Sequence, residues 1–454
     1  MKIINPHTGQ LIQEVAEDTA QTLAEKYALL QKGQSTWQAL GLPHRISVIT
    51  RYLHLLEETL EAGALLLTQE VGKPLQQARN EINGARTRIQ WMLEHVQKAL
   101  EEEVMSETSA MTELIRYEPL GVVANISAWN YPYLVGTNVI IPALLAGNAV
   151  LNKPSEFATL SGIHIGQLLK RAGVPEDAFQ LACGAGEVGK LLIDLPLDGY
   201  FFTGSYATGH AIYKRVAEKM VPCQCELGGK DPLYVADDVE DINAVAAATA
   251  DGAFYNSGQS CCAVERIYVH EKIYDTYIQA FAEEVKSWKM GDPMQEGVYI
   301  GALTRPAQVD LLTDQVNDAL QKGAALLTGG KSIEGPGNHF QPTVLINATH
   351  DMRLMKEESF GPIIGIMKVS HDEEAIRLMN DTSYGLTASV YSSSRSRAEQ
   401  LLGKMNTGTG YWNCCDRVSA ALPWSGRGHS GFGSSLSVVG LRSFTRPKAY
   451  HLKK

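Results

Sequence analysis

The run Gly258-Gln259-Ser260-Cys261-Cys262-Ala263 lies between a helical stretch and a β-branched stretch. A cysteine at such a junction can be reached from solvent, and neighbouring backbone N–H groups lower its pKa and make it a thiolate nucleophile. The plain alternative is a pair of small buried residues, the usual state of intracellular cysteine. Glu226-Leu227-Gly228-Gly229-Lys230 follows strand-like Val221–Cys225. Its glycine pair lets the chain turn tightly beside a carboxylate that could serve as a general base, or is simply a solvated turn acid. In Trp129-Asn130-Tyr131-Pro132, Asn130 could donate its amide N–H to a developing oxyanion, or be a turn residue before an aromatic plug.

A second group of residues suits a phosphate or sugar. Phe202-Thr203-Gly204-Ser205 ends a strand and precedes a helix, where N–H groups and a hydroxyl can hold a pyrophosphate. The spacing Gly204-x-x-x-x-Gly209 is not G-x-G-x-x-G, so a plain capped helix reads equally well. Lys153-Pro154-Ser155-Glu156 ends another strand, the side on which open α/β sheets bind ligands. Lys153 and Glu156 could hold ribose hydroxyls or form a solvated charge pair. Glu358-Ser359-Phe360-Gly361-Pro362 offers a carboxylate and a ring face, or an ordinary loop before a strand.

These pieces need a frame. Residues 19–100 read as helices, with Leu53, Leu56, Leu60 and Leu67, then Ile89, Leu93, Val96 and Leu100, at helical spacing. The polar stretch 101–112 reads as an excursion or a strand–loop element. From Gly121 short β-branched runs alternate with helical runs: strands 122–126, 149–153, 179–182 and 199–202, helices 161–171 and 206–219. A second series follows Gly229, with helices 241–255, 274–287, 305–322 and 373–380 and strands 266–269, 363–367 and 388–391. Strand–helix alternation predicts parallel sheets in a two-domain α/β protein.

Composition narrows the class. The chain has 454 residues, 44 % apolar and 20 % charged, with a formal charge of −10. It lacks the basic face of a nucleic-acid binder and the charge blocks of a disordered chain. The longest apolar stretch, 135–151, is broken by Asn138, Pro142, Gly147 and Asn148, so no membrane span is expected. The first residues show no signal-peptide core. The 7 cysteines include no C-x-x-C, so neither a metal site nor a disulfide framework is expected, and a reducing cytoplasm fits.

Taken in order, the motifs resemble the NAD(P)-dependent aldehyde dehydrogenase superfamily over nearly the whole chain. The matching residues are those six motifs, together with Ser430-Gly431-x-Gly433 and the opening Asn5-Pro6-x-Thr8-Gly9. The resemblance implies a Rossmann-like cofactor domain (1–100 and 120–227), an α/β catalytic domain (228–442) and a small oligomerisation arm (101–119 with 443–454). It implies Cys261 as nucleophile, Asn130 with the Cys261 N–H as oxyanion donors, and Glu226 as the base that hydrolyses a thioester. Trp129, Lys153, Glu156, Gly184, Gly186, Gly204, Ser205, Leu227, Glu358 and Phe360 would meet the cofactor. A carboxylate at Glu156 accepts a 2′-hydroxyl but repels a 2′-phosphate, which favours NAD, with NADP second. With no long N-terminal extension, a homodimer is expected before a homotetramer.

The resemblance leaves the aldehyde open. Tyr131, Tyr255 and Trp424 fall at positions where amino- and betaine-aldehyde members hold a cation with aromatic rings. The same rings could line an apolar tunnel for a neutral aliphatic or aromatic aldehyde. Succinate-semialdehyde members carry two arginines to pair the distal carboxylate, and the corresponding positions here are Asn138 and Tyr255, with Arg417 a substitute from a nearby loop. The segment Leu422-Pro423-Trp424-Ser425-Gly426-Arg427-Gly428-His429 departs from the commoner Pro-Phe-Gly-Gly-x-Lys of the substrate mouth. CoA-acylating members generally lack the base that Glu226 supplies. A non-catalytic binding protein would have lost Cys261, Glu226 or Asn130.

Overall fold

The structure, a computed structural model, describes residues 1–454. Four helices, Ala20–Ala39, Gly41–Glu58, Leu60–Val71 and Leu75–Ala99, fill the N-terminal region. Thr19 caps the first in a reciprocal capping box with Thr22, satisfying donors the helix itself leaves free. Leu53, Leu56, Leu67, Ile89 and Val96 are buried on the faces their spacing predicts. The helices break at Thr59 and again at Gly72, whose φ of 82° ends the third in the left-handed conformation.

The first sheet runs 179–181, 149–153, 122–126, 199–204, 223–227, all parallel, with Gly431–Phe432 antiparallel at the far edge. Numbered in chain order the parallel strands run 3-2-1-4-5. Successive connections therefore leave in opposite directions between 122–126 and 199–204, opening a crevice at the carboxyl ends of those strands. Strands 122–126 and 149–153 are buried throughout, as a sheet covered on both faces requires. Pro132–Ala146, almost wholly buried, crosses between them, with Pro132 in its first turn where no N–H is needed.

The second sheet runs 325–328, 343–346, 363–369, 264–270, 231–235, 387–391, 409–412, parallel except for the first pair. The sequence reading missed Asp231–Val235 here. Pro232 speaks against a central strand, but it sits where the register with 264–270 shifts, so its missing N–H breaks no regular ladder. The four-residue strands 325–328, 343–346 and 409–412 are too short to show a period. Glu226, read as a turn acid after a strand, is inside strand 223–227.

The polar excursion becomes strands Glu103–Glu107 and Met111–Pro119, and Thr445–Lys453 pairs along the whole of the latter. The pairing of Gly431 with Glu226 also carries a segment from beyond residue 228 onto the edge of the first sheet.

Candidate active site

A cavity of about 1350 Å³ opens at the carboxyl ends of the first sheet's strands and reaches Cys261, helix Pro306–Gln321 and the 358–360 loop. It exceeds the ~300–1,000 Å³ typical of small-ligand pockets. Its wall carries Trp129, Asn130, Lys153, Glu156, Gly186, Gly204, Ser205, Glu226, Leu227, Cys261, Glu358 and Phe360. Residues from seven separated stretches of sequence thus share one space.

Cys261 follows a tight turn in which Asn256, Ser257 and Gly258 have φ of 55°, 55° and 72°. A Cβ on Gly258 would stand 2.2 Å from the Gly361 carbonyl oxygen, so only glycine lets this turn rest on the 358–362 loop. Cys261 is half-buried while Cys262 is buried. A hydrogen bond shared with Cys261, burial and the nearby Asp416 push the Cys262 thiol well up. Its Sγ lies 3.0 Å from Asp416 Oδ1, which also accepts from Ser260 Oγ at 3.1 Å. Burial pushes the Asp416 carboxyl up to about 6.

Asn130 is buried and held from both ends. Its Nδ2 donates to the Gln259 carbonyl at 3.1 Å, tying it to the Cys261 turn. Its own carbonyl accepts from Lys73 Nζ at 2.8 Å and Asn256 Nδ2 at 3.2 Å. Lys73 in turn pairs with Glu81, both fully buried, and Glu81 Oε1 accepts the Tyr133 N–H at 2.8 Å. A second N–H of the Asn130 amide remains for an oxygen in the cavity.

Glu226, on strand 223–227, accepts from Gln224 Nε2 at 2.9 Å. Burial raises its pKa against the pull of Gln224 and of Arg88. Across the cavity Glu358 Oε1 accepts the Gly229 N–H at 3.0 Å. Burial and the neighbouring Glu265 push its carboxyl up to about 8. The buried Lys230–Glu265 pair fixes this loop, because Glu265 also accepts the Ser359 and Phe360 N–H groups at 2.9 Å each. Phe360 stands edge-on to Trp129, ring centroids 5.4 Å apart. Lys153 Nζ, buried and lowered in pKa by desolvation, has one long contact, 3.2 Å to the Pro154 carbonyl. Ser205 caps helix Tyr206–Ala217, and Ala207 and Thr208 from its first turn also face the cavity.

Gly184, Tyr131, Tyr255 and Trp424 are not on this wall. Gly184 packs against Val188, with Glu17 nearby. Trp424 is buried in the N-terminal core, where its large ring is packed away from the cavity, and its backbone bridges to Ser435. The Tyr131 ring carries Lys73 Nζ 3.7 Å from its centroid, and the Tyr255 hydroxyl accepts from Asn80 Nδ2 at 3.0 Å. Arg417 is exposed. The sequence reading missed Lys73, Glu81 and Arg88, all near Asn130 or Glu226. Glu81 and Arg88 interrupt the buried stripe Ile82, Ala85, Ile89 and Met92, and that interruption was the available signal.

The arrangement combines a reachable thiol, an amide donor and a buried carboxylate, which together suit acyl transfer. The Aldehyde dehydrogenase family model matches residues 1–450. A peroxisomal aminoaldehyde dehydrogenase of Pisum sativum is 33 % identical over 462 residues, covering 98 % of this chain and 91 % of the relative. An NADP-dependent succinate-semialdehyde dehydrogenase of Deinococcus radiodurans is 32 % identical, covering 98 % and 93 %. The solved structure of an indole-3-acetaldehyde dehydrogenase with NAD+ superposes at a TM-score of 0.97, with 31 % identity over 100 % of this chain and 93 % of that one. The chain belongs to the aldehyde dehydrogenase family.

Proposed function

We propose that this enzyme oxidises an aldehyde to a carboxylic acid through a thioester on Cys261, with NAD as the preferred cofactor and NADP second. The observation that carries the reading is that Cys261, Asn130 and Glu226 share one cavity wall.

The cavity suits a dinucleotide. Gly228 leaves room beside Glu358, since a Cβ there would lie 2.1 Å from Oε1. The helix start at Ser205 offers N–H groups to a pyrophosphate, and Lys153 and Glu156 stand ready for ribose hydroxyls. Glu358, Phe360, Trp129 and Leu227 would enclose the nicotinamide end. Bound there, the nicotinamide ring supplies the hydride acceptor.

The chain's own residues do the rest. Cys261 Sγ adds to the aldehyde carbon, and the carbonyl oxygen becomes an oxyanion. Asn130 Nδ2 and the Cys261 N–H hold that charge. After oxidation the acyl group sits on Cys261 as a thioester. Glu226 takes a proton from water as it attacks the acyl carbon, and the thiolate leaves. A carboxylate base retained in the cavity supports hydrolysis over transfer to CoA. Cys262, raised in pKa and facing Asp416, is not the nucleophile.

Cys261→Ser is expected to abolish NADH formation with any aldehyde while NAD binding, followed by quenching of protein fluorescence, survives. Full activity in that variant would sink the mechanism. The arm of strands 103–107, 111–119 and 445–453 supports a homodimer, with a homotetramer as the next assembly. Seven free thiols suit a reducing compartment, the cytoplasm by preference.

A further inference from the structure

Within the run 258–263, Cys261 alone lines the large cavity, while Ser260 and Cys262 on either side of it are buried. Both neighbours turn to the same atom. Ser260 Oγ donates to Asp416 Oδ1 at 3.1 Å, and Cys262 Sγ donates to it at 3.0 Å. The two donor atoms stand 3.6 Å apart. One carboxylate oxygen thus holds the residue before the nucleophile and the residue after it. Asp416 is itself absent from the cavity wall, and the thioester chemistry makes no use of it.

The loop that carries Asp416 is fixed at several points. Asn413 and Asp416 have φ of 53° and 47°, left-handed values that Asn and Asp tolerate better than most side chains. Asn413 Oδ1 accepts the Ser392 N–H at 3.0 Å, and its Nδ2 donates to the Ser392 carbonyl at 3.1 Å, just past strand 387–391. The Tyr411 hydroxyl donates to the Arg417 carbonyl. Cys415 packs on helix Ile242–Phe254, where a Cβ on Gly252 would stand 2.3 Å from its sulfur, so glycine makes the room. That helix runs directly into the Tyr255–Gly258 turn that precedes Cys261. The loop therefore grips the approach to the nucleophile through Cys415 and the residues beside it through Asp416.

We propose that Asp416 is a positioning residue, which accepts from Ser260 and Cys262 together and so holds the Cys261 N–H and Sγ in place for the aldehyde. The inference rests on the acyl-transfer reading of Cys261. A residue whose two neighbours are anchored to one atom has little freedom to turn, and attack geometry is sensitive to displacements of about 1 Å. The Asp416 carboxyl, pushed up to about 6 by burial, is still ionised at neutral pH, so both bonds are charge-assisted. A thiol donates only while it keeps its proton, so the same contact prevents Cys262 from acting as a thiolate.

The test uses the full-length enzyme and four variants: Asp416→Ala, Asp416→Asn, Ser260→Ala with Cys262→Ala, and all three alanine changes together. NADH formed in the first turnover is followed with a neutral aliphatic aldehyde and with ω-amino and ω-carboxy aldehydes of equal chain length. Asp416→Ala should slow it about tenfold or more, by one factor for all three aldehydes. Asp416→Asn keeps an acceptor in the same place and should recover most of the rate. Ser260→Ala with Cys262→Ala should lose as much as Asp416→Ala, and adding Asp416→Ala to that pair should cost no more than about twofold. A second readout needs no turnover: amide hydrogen exchange in the peptide 256–263 should quicken in Asp416→Ala and return toward the native pattern in Asp416→Asn. Melting midpoints near the native value establish folding, and if Asp416→Ala does not fold, the Ser260 and Cys262 pair carries the same comparison.

A loss that follows the charge of the aldehyde, or that returns in full when Asp416→Ala is added to the Ser260 and Cys262 pair, overturns the proposal and makes Asp416 a substrate contact. Native rates in Asp416→Ala, or in the pair, overturn it as well. In each of these cases the Cys261 mechanism stands. Quickened exchange at 256–263 in Asp416→Ala, in an enzyme whose Cys261→Ser variant still forms NADH, leaves the clamp standing and removes the mechanism instead.

Discussion

Two carboxyls in the cavity are held away from their ordinary ionisation, and the difference bears on activity. Glu226 sits on a strand with Oε1 bound to Gln224, and burial raises its pKa. A general base works only when ionised, so deacylation should gain rate as pH rises through this elevated value. The acid limb of the deacylation profile should therefore lie above the ordinary glutamate value of about 4.3. In single-turnover measurements across pH, a limb at or below that value would take Glu226 out of the base role. Glu358, pushed up to about 8, is the other raised group.

At the scale of elements, one ion pair connects three helices to the chemistry. Lys73 lies between two helices, Glu81 lies on the second of them, and the pair reaches the Asn130 carbonyl and the Tyr133 N–H at the head of a third. Removing one member leaves the other charged and buried. Lys73→Met should thus destabilise the protein by about 3–5 kcal/mol in denaturant titrations, and Lys73→Met with Glu81→Leu should recover much of that loss. Turnover should fall in both, because Asn130 loses the anchor on its backbone. A single variant as stable and active as the native enzyme would mean the pair does not hold the site. This network was not legible in the sequence. The motifs at Asn130, Glu226 and Cys261 could be read because glycines and prolines punctuate them, whereas Lys73 and Glu81 look like surface charges on helices. Asp231–Val235 was hidden by Pro232, and the pairing of 111–119 with 445–453 joins stretches with no local signal of each other. Strands 122–126 and 149–153 were readable because their apolar runs are buried on both faces.

The whole molecule carries two mainly parallel sheets, one cavity at the carboxyl ends of the first, and a separate three-stranded sheet to the side. That sheet exposes Val104 at 53 % and Met105 at 64 %, apolar surface that a second copy could cover. Replacing both with Asp should shift sedimentation velocity profiles toward the monomer while changing unfolding free energy by no more than about 0.5 kcal/mol. An unchanged assembly would locate the interface elsewhere. The fold's main consequence is that residues 130, 226 and 261, from three separate segments, meet in one space. Intact-protein mass spectrometry of Glu226→Gln, mixed with an aldehyde and NAD, tests that most directly. A stable acyl adduct is expected, mapped to the peptide containing Cys261 and absent from Cys261→Ser. Rapid steady turnover by Glu226→Gln with no adduct, or an adduct on Cys262, would contradict it.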